Sequence, residues 1–247
     1  MKKLKELTNY TLYSLNEKIN FSDDKTIPFN RTTEILKDIN NNKYILAYFW
    51  PMEKTVIMGM LDKFLPHIED AKNQISRYGY ELVVRNIGGL AVVADDGVLN
   101  FSLFLPNDEI DISNAYLIMV DLIKGAFSKY TDKIEYFEIE NSYCPGKYDL
   151  SIDGKKFAGI AQRRLKNSIV VSIYMSICSN QKNRSKMIKE FYNLGIKGEE
   201  TRVKYPEIDI ECMANLSELL NYELSVDDVK YLILQELERI GFDINER

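Results

Sequence analysis

The pair Asp153-Gly154 lies between two β-forming runs in YDLSIDGKKFAG, Tyr148 to Gly159. A two-residue type I′ connection needs positive φ at both positions, and Asp-Gly tolerates that. The flanking runs are therefore committed to an antiparallel hairpin of fixed register. Counting outward sets Ile152 opposite Lys155, Ser151 opposite Lys156, Leu150 opposite Phe157, and Asp149 opposite Ala158. Opposite residues share a face. Lys155 falls with Leu150, Ile152 and Phe157 at the hairpin end, where its head reaches solvent. Lys156 falls on the other face with Asp149, Ser151 and Ala158. That face carries small and polar side chains, and Ala158-Gly159 leaves room for a ligand against the strand.

The rest of the chain supplies more strands and the helices to cover them. KYILAYFWP, KTVIMG, Tyr80–Asn86, Ile134–Ile139 and NSIVVSIYMSI read as strands, rich in β-branched and aromatic residues. A Gly-Gly turn leads into two strand-like runs around Asp96-Gly97. Helical spacing marks His67–Tyr78, Ile112–Tyr130, Arg184–Leu194, Ala214–Leu220 and Val226–Ile240, and residues 1–42 read as loosely patterned helix. Ser225 caps the last helix, Asp227 and Asp228 occupy its first turn, and Gly241 ends it. Strands in the middle with helices between and at the ends predict an α+β fold, a mixed or antiparallel β-sheet flanked by helices. The 247 residues contain no evident linker, so one domain is expected, with a helical C-terminal subregion over about 180–247.

Composition narrows the function. A net charge of −5 argues against a non-specific nucleic-acid binder, which needs a basic face. No apolar run reaches membrane-spanning length, and the N-terminus lacks a signal-peptide pattern. The cysteines, Cys144, Cys178 and Cys212, match neither a zinc site nor a disulfide framework, which suits a reducing cytoplasm. The single histidine, His67, follows Pro66 at a helix start, where imidazole basicity falls. Serine–histidine or cysteine–histidine chemistry would depend on that one residue.

Two segments carry candidate chemistry. Arg85-Asn86-Ile87-Gly88-Gly89 breaks a strand pattern with two adjacent glycines. Glycines bare the backbone, so a carbonyl or phosphate can approach N–H groups, and Arg85 adds a forked cationic donor. A tight turn with an exposed arginine explains the same residues. Neither the dinucleotide fingerprint nor the phosphate-binding loop matches this glycine spacing. Cys144 stands on the loop Tyr143–Gly146. A thiol on a rigid turn near a lysine ammonium reacts as thiolate, but a loop cysteine is also easily incidental, and the residues alone leave both readings open. Cys178 and Cys212 read as packed, inert thiols.

Three blocks, VVRNIGGLAVVADDGVLNFSL, YCPGKYDLSIDGKKFAGIAQRR and YPEIDIECMANLSELL, carry a resemblance. They are similar to the biotin/lipoate protein ligase superfamily from about Tyr44 to Ile240. Within it they resemble the octanoyltransferases of Gram-positive bacteria that take their acyl group from the H protein of the glycine cleavage system. The resemblance implies a mixed β-sheet holding an octanoyl or lipoyl chain beside the Gly-Gly turn. It implies Cys144 as nucleophile through a thioester, and Lys156 as the catalytic lysine meeting the acyl carbonyl. Arg85, Asn86, Gly88 and Gly89 become acyl-site residues, joined by Asp149, Ala158 and Gly159 of the hairpin. No cofactor is implied. The partners are lipoyl-domain proteins: the H protein as donor and E2 subunits as acceptors.

ATP-dependent lipoate ligases are similar too, but they carry a third glycine and a His-Asp pair after the Gly-Gly turn. Leu90 and Ala94-Asp95 stand there in this chain, and Gly146-Lys147-Tyr148-Asp149 replaces the ligases' Gly-Arg-Asn-Asp. Cysteine acyl transfer is thereby favoured over adenylation. An octanoyl-acyl carrier protein donor, a lipoate ligase and a non-catalytic lipoyl-domain binder are the rival readings.

Overall fold

The Asp153-Gly154 turn has the conformation its residues favour, with φ of 50° and 76°. The computed structural model describes residues 2–107 and 109–247, so Met1 and Asp108 of the expected domain lie outside the described residues. The N-terminal half runs through helix α1 (Lys2–Lys5), strand β1 (Leu12–Asn16), helix α2 (Ile27–Asn42), strands β2 (Ile45–Phe49) and β3 (Thr55–Met58), and a 3-10 turn (Met60–Phe64). Helix α3 (Ile68–Arg77), strands β4 (Glu81–Val84), β5 (Val92–Ala94) and β6 (Val98–Pro106), and helix α4 (Ile112–Ala126) follow. Strands β7 (Glu135–Tyr136), β8 (Leu150–Ile152), β9 (Lys155–Leu165) and β10 (Ser168–Ser176) come next. Helices α5 (Gln181–Ile196), α6 (Leu216–Leu220) and α7 (Val226–Ile240) and strand β11 (Ile244–Glu246) complete the chain.

The fold is the expected α+β arrangement. An eight-stranded mixed sheet has the order β11-β1-β2-β6-β10-β9-β8-β7, and β4-β3-β5 form a second, smaller sheet. Both faces of the large sheet are covered, so β6 is buried at every position. Alternate residues of β6 serve different layers. Phe101, Leu103 and Leu105 join the core beneath α4 and α7, whereas Phe104 joins the core shared with α2 and the small sheet. Asn100 and Ser102 share the side of Phe104; Asn100 lines a cavity described below, and Ser102 bonds Trp50 Nε1 and Ser172 Oγ, both residues of its lining. Ser225 caps α7 by accepting from the Asp228 N–H at 3.1 Å, and Gly241 ends it at φ 118°. Among the described residues, no helix is long and apolar enough to cross a membrane.

Two expectations fail for identifiable reasons, and the two runs around Asp96-Gly97 part to different sheets. Residues 1–42 are not helical throughout. Leu12–Asn16 is a strand because β2 and β11 pair with it in parallel from both sides. The runs around Asp96-Gly97 do not pair with each other: β5 belongs to the small sheet and β6 to the large one. Arg184 of α5 draws Asp95 into a buried ion pair and binds Cys178 O at 3.0 Å, filling the space beside Gly97.

The hairpin register, finally, holds for only two pairs. Ile152 faces Lys155 and Ser151 faces Lys156, but then a bulge sets Leu150 opposite Ala158. Phe157 is the extra residue, and both it and Ala158 are buried in the core beneath α4 and α7. Ala158 therefore shares the face of Leu150 and not that of Lys156.

Candidate functional site

A cavity of about 260 Å³ opens between α2, the turn after β4, and the floor made by β9 and β10. Phe29, Trp50, Ile57, Val92, Ile160 and Ile173 give it an apolar lining. At one end stand Arg85–Gly89 and the loop Cys144–Gly146. Thr33 ties that end to α2, accepting from Asn86 Nδ2 at 3.3 Å and from Arg163 Nη1 at 2.9 Å.

Cys144 has φ of 50°, a left-handed conformation that a non-glycine residue adopts only when its surroundings impose it. The surroundings do so here. Tyr143 is fully buried, its ring stacked 5.9 Å from that of Tyr174, and Pro145 follows. The half-buried sulfur receives two donors, the Leu90 N–H at 3.2 Å and Arg85 Nη2 at 3.4 Å. Gly89 has φ of 104°, and a Cβ there would overlap the Arg85 guanidinium and come within 2.9 Å of Cys144 Sγ. Only glycine lets the turn, the arginine and the thiol meet. Gly88 has nothing within 4 Å of its missing Cβ, so its backbone is bare at the cavity.

Lys156 is fully buried and does not line the cavity. Its ammonium sits behind the cysteine loop, with Cys144 O at 2.8 Å, Tyr143 O at 3.1 Å, Ser142 Oγ at 3.0 Å and Asp149 Oδ2 at 3.0 Å. These contacts hold the loop that carries Cys144. Backbone bonds cover its strand: Lys156 N donates to Cys212 O at 2.9 Å and Ala214 N to Lys156 O at 3.0 Å. The block YPEIDIECMANLSELL thus closes over the lysine. Asp149 also accepts from Gly146 N at 3.0 Å and Ile139 N at 3.4 Å. Burial pushes its carboxyl above the usual range, against the pull of Lys156.

Two residues of the hairpin differ from expectation. Ala158 does not line the cavity, because the bulge turns it into the core. Gly159 does line it, but the space a Cβ would take is filled by the Tyr174 ring, 2.7 Å away at Cε1. The glycine accommodates a tyrosine rather than leaving room for a ligand. His67 pairs with Glu199 at 2.7 Å outside the cavity lining. Burial raises the Cys178 thiol and pushes Cys212 up to about 11, which keeps both protonated at neutral pH.

The Leu90 N–H has no signature in the sequence, because a main-chain donor is defined only by the turn that aims it. Phe29 and Thr32 of α2 line the cavity at helical spacing, a signal legible as a buried face but not as a site. The assembled parts are a thiol with two N–H donors, a bare glycine backbone and an apolar slot. Such parts suit nucleophilic acyl chemistry on a linear apolar chain.

The family model for the lipoyl protein ligase A/B catalytic domain matches residues 24–238. The octanoyl-[GcvH]:protein N-octanoyltransferase of Lysinibacillus sphaericus is 44% identical over 198 residues, covering 79% of this chain and 71% of that protein. The enzyme of the same name from Oceanobacillus iheyensis is 46% identical over 198 residues, covering 80% of this chain and 71% of that protein. Among solved structures, the bipartite lipoate protein ligase studied with its E2 lipoyl domain from Thermoplasma acidophilum superposes with a TM-score of 0.69. It is 18% identical and covers 96% of this chain and 87% of that one, a likeness of fold.

Proposed function

The chain belongs to the lipoyl protein ligase A/B catalytic domain family, and from that premise we propose that it is an octanoyl-[GcvH]:protein N-octanoyltransferase. It takes an octanoyl group from the lysine of the H protein, GcvH, and delivers it to the lysine of an E2 lipoyl domain. The acyl group travels on Cys144. The observation that carries this reading is the Cys144 sulfur at one end of an apolar slot, facing the Leu90 N–H at 3.2 Å and Arg85 Nη2 at 3.4 Å.

The Cys144 thiolate attacks the carbonyl carbon of the donor amide. The carbon–nitrogen bond breaks, the leaving lysine amine takes up a proton, and a thioester remains on sulfur. The neutral amine of the acceptor lysine then attacks the thioester. The carbon–sulfur bond breaks, thiolate returns, and the new amide loses a proton. One amide is exchanged for another, so the exchange needs no ATP. Covalent catalysis divides one hard displacement into two easier ones. Donors near the sulfur and the bare Gly88 backbone are suited to the developing oxyanion, where one lost donor costs about 100-fold or more in rate.

The slot binds the chain by burial. At ~0.8 kcal/mol per CH₂, an octanoyl chain gains about 5 kcal/mol gross before ordering costs. That grip suits an intermediate that must be handed on. Lys156 serves this chemistry by fixing the loop on which Cys144 reacts. Three unpaired thiols are compatible with action in the reducing cytoplasm.

Octanoyl-GcvH, octanoyl-acyl carrier protein, and free octanoate with ATP, each offered with an E2 lipoyl domain, separate the rival chemistries. The reading expects transfer from octanoyl-GcvH without ATP. Pyrophosphate release from octanoate and ATP, with no transfer from either acyl protein, would establish a ligase instead. Complex formation without transfer would establish a binding protein.

A further inference from the structure

We infer that Tyr192 and Asp62 are positioning residues for the reacting sulfur, fixing the turn that aims the Leu90 N–H at Cys144. The inference rests on the reading of Cys144 as the acyl carrier. The peptide between Leu90 and Ala91 is held at both ends. Its carbonyl oxygen accepts from Arg85 Nη2 at 2.8 Å, and its N–H donates to Tyr192 Oη at 3.0 Å. Tyr192 Oη donates onward to Asp62 Oδ1 at 3.0 Å, and Asp62 Oδ2 accepts from the Gly59 N–H at 2.7 Å.

The neighbouring peptide, between Gly89 and Leu90, carries the N–H that faces Cys144 Sγ at 3.2 Å. Its carbonyl lies against Gly59, where a Cβ would overlap Gly89 O. Both peptides flanking Leu90 are therefore fixed, and with them the direction of the donor. Asp62 is 0% exposed and Tyr192 is 2% exposed, so water does not compete for these bonds. Neither residue lines the cavity, and any effect on the chemistry passes through the turn.

The form of the support favours positioning over simple satisfaction of a buried N–H. A carbonyl oxygen would have served Ala91. Here the acceptor is a phenol on α5, itself fixed by a carboxylate that is buried at a desolvation cost. Such an arrangement sets an angle as well as filling a vacancy.

Tyr192→Phe removes one oxygen atom and tests the inference. Alkylation by iodoacetamide at neutral pH, followed residue by residue with peptide mass spectrometry, reads the three cysteines separately. Loosening a donor costs less than deleting one, so Cys144 alkylation should slow about 10-fold, with Cys178 and Cys212 unchanged. Asp62→Asn, which turns one acceptor into a donor, should act in the same direction.

Unchanged Cys144 alkylation in both variants overturns the inference. Faster alkylation of all three cysteines also overturns it, because it marks Tyr192 and Asp62 as general supports of the fold. The parallel measurement is octanoyl transfer from octanoyl-GcvH to Cys144. If the native protein gains no octanoyl group on Cys144, the functional reading fails, while alkylation still reports on the turn. If native protein and Tyr192→Phe acylate equally fast, the inference fails and the functional reading stands.

Discussion

Replacing Lys156 by methionine keeps an unbranched side chain, one atom shorter, and removes its charge. The ammonium has four oxygen neighbours between 2.8 and 3.1 Å, one of them the Asp149 carboxylate. Both members of this pair are buried, Lys156 at 0% and Asp149 at 1% exposure. Breaking a buried pair by removing one partner costs about 3–5 kcal/mol, because the remaining charge is left uncompensated. Asp149 keeps the N–H groups of Gly146 and Ile139, and burial already lifts its carboxyl, so uptake of a proton relieves part of the loss. The carbonyls of Tyr143 and Cys144 each lose a charged donor, which adds about 1 kcal/mol apiece.

A destabilisation of about 4 kcal/mol is therefore expected for Lys156→Met in urea unfolding. Asp149→Asn and the double variant complete a thermodynamic cycle. The double variant should be less destabilised than the sum of the singles by at least about 1.5 kcal/mol, since each single strands the other's charge. Alkylation of Cys144 should change with Lys156→Met as the loop relaxes. A loss under about 1 kcal/mol, or strict additivity in the cycle, would refute the claim that this pair holds the cysteine loop.

Gly89→Ala should lower octanoyl transfer by at least about 10-fold, because the new methyl displaces the Arg85 guanidinium from Cys144; steady-state transfer at native rates would contradict this. Asp62 faces Arg85, Tyr192 and Tyr205, and burial raises its carboxyl from 3.8 to about 6. A carboxyl that binds its proton more tightly when folded favours folding at pH 4, and that contribution is lost as pH rises to 6. At 1.36 kcal/mol per pKa unit, native stability relative to Asp62→Asn should fall by about 2 kcal/mol across that window, with only a few tenths more lost by pH 7. Urea titrations at pH 4, 5, 6 and 7 check the direction. Tyr174→Phe removes a buried hydroxyl that has no partner among the described residues, so thermal stability should rise by about 1 kcal/mol; a fall would mean the hydroxyl is bonded in solution.

Legibility in the sequence follows how local each determinant is. Asp153-Gly154 and the Ser225 cap with Gly241 are decided within a few residues, and all took the expected form. Asp96-Gly97 has the same composition as the hairpin turn, yet neither residue has positive φ. There the outcome belongs to Arg184, far away in sequence. The register beyond Lys156 was lost for a similar reason: Phe157 and Ala158 both gain burial beneath α4, at the expense of one regular pair. Strand β1 has too little pattern to be read alone and exists through its neighbours β2 and β11.

The site divides the same way. Arg85, Gly88, Gly89 and Cys144 are legible as a motif, and they meet at one end of the cavity. The direction of the Leu90 N–H, the reach of Tyr192 to Ala91 and the position of Lys156 behind the loop depend on distant segments. Residue types alone carry no trace of them.

The central claim is that the acyl group rests on Cys144. Intact-protein mass spectrometry after incubation with octanoyl-GcvH, without acceptor, tests it most directly. The account predicts an octanoyl adduct that hydroxylamine removes, that is absent in Cys144→Ala, and that persists in Cys178→Ala and Cys212→Ala. Normal octanoyl transfer to an E2 lipoyl domain by Cys144→Ala would contradict it.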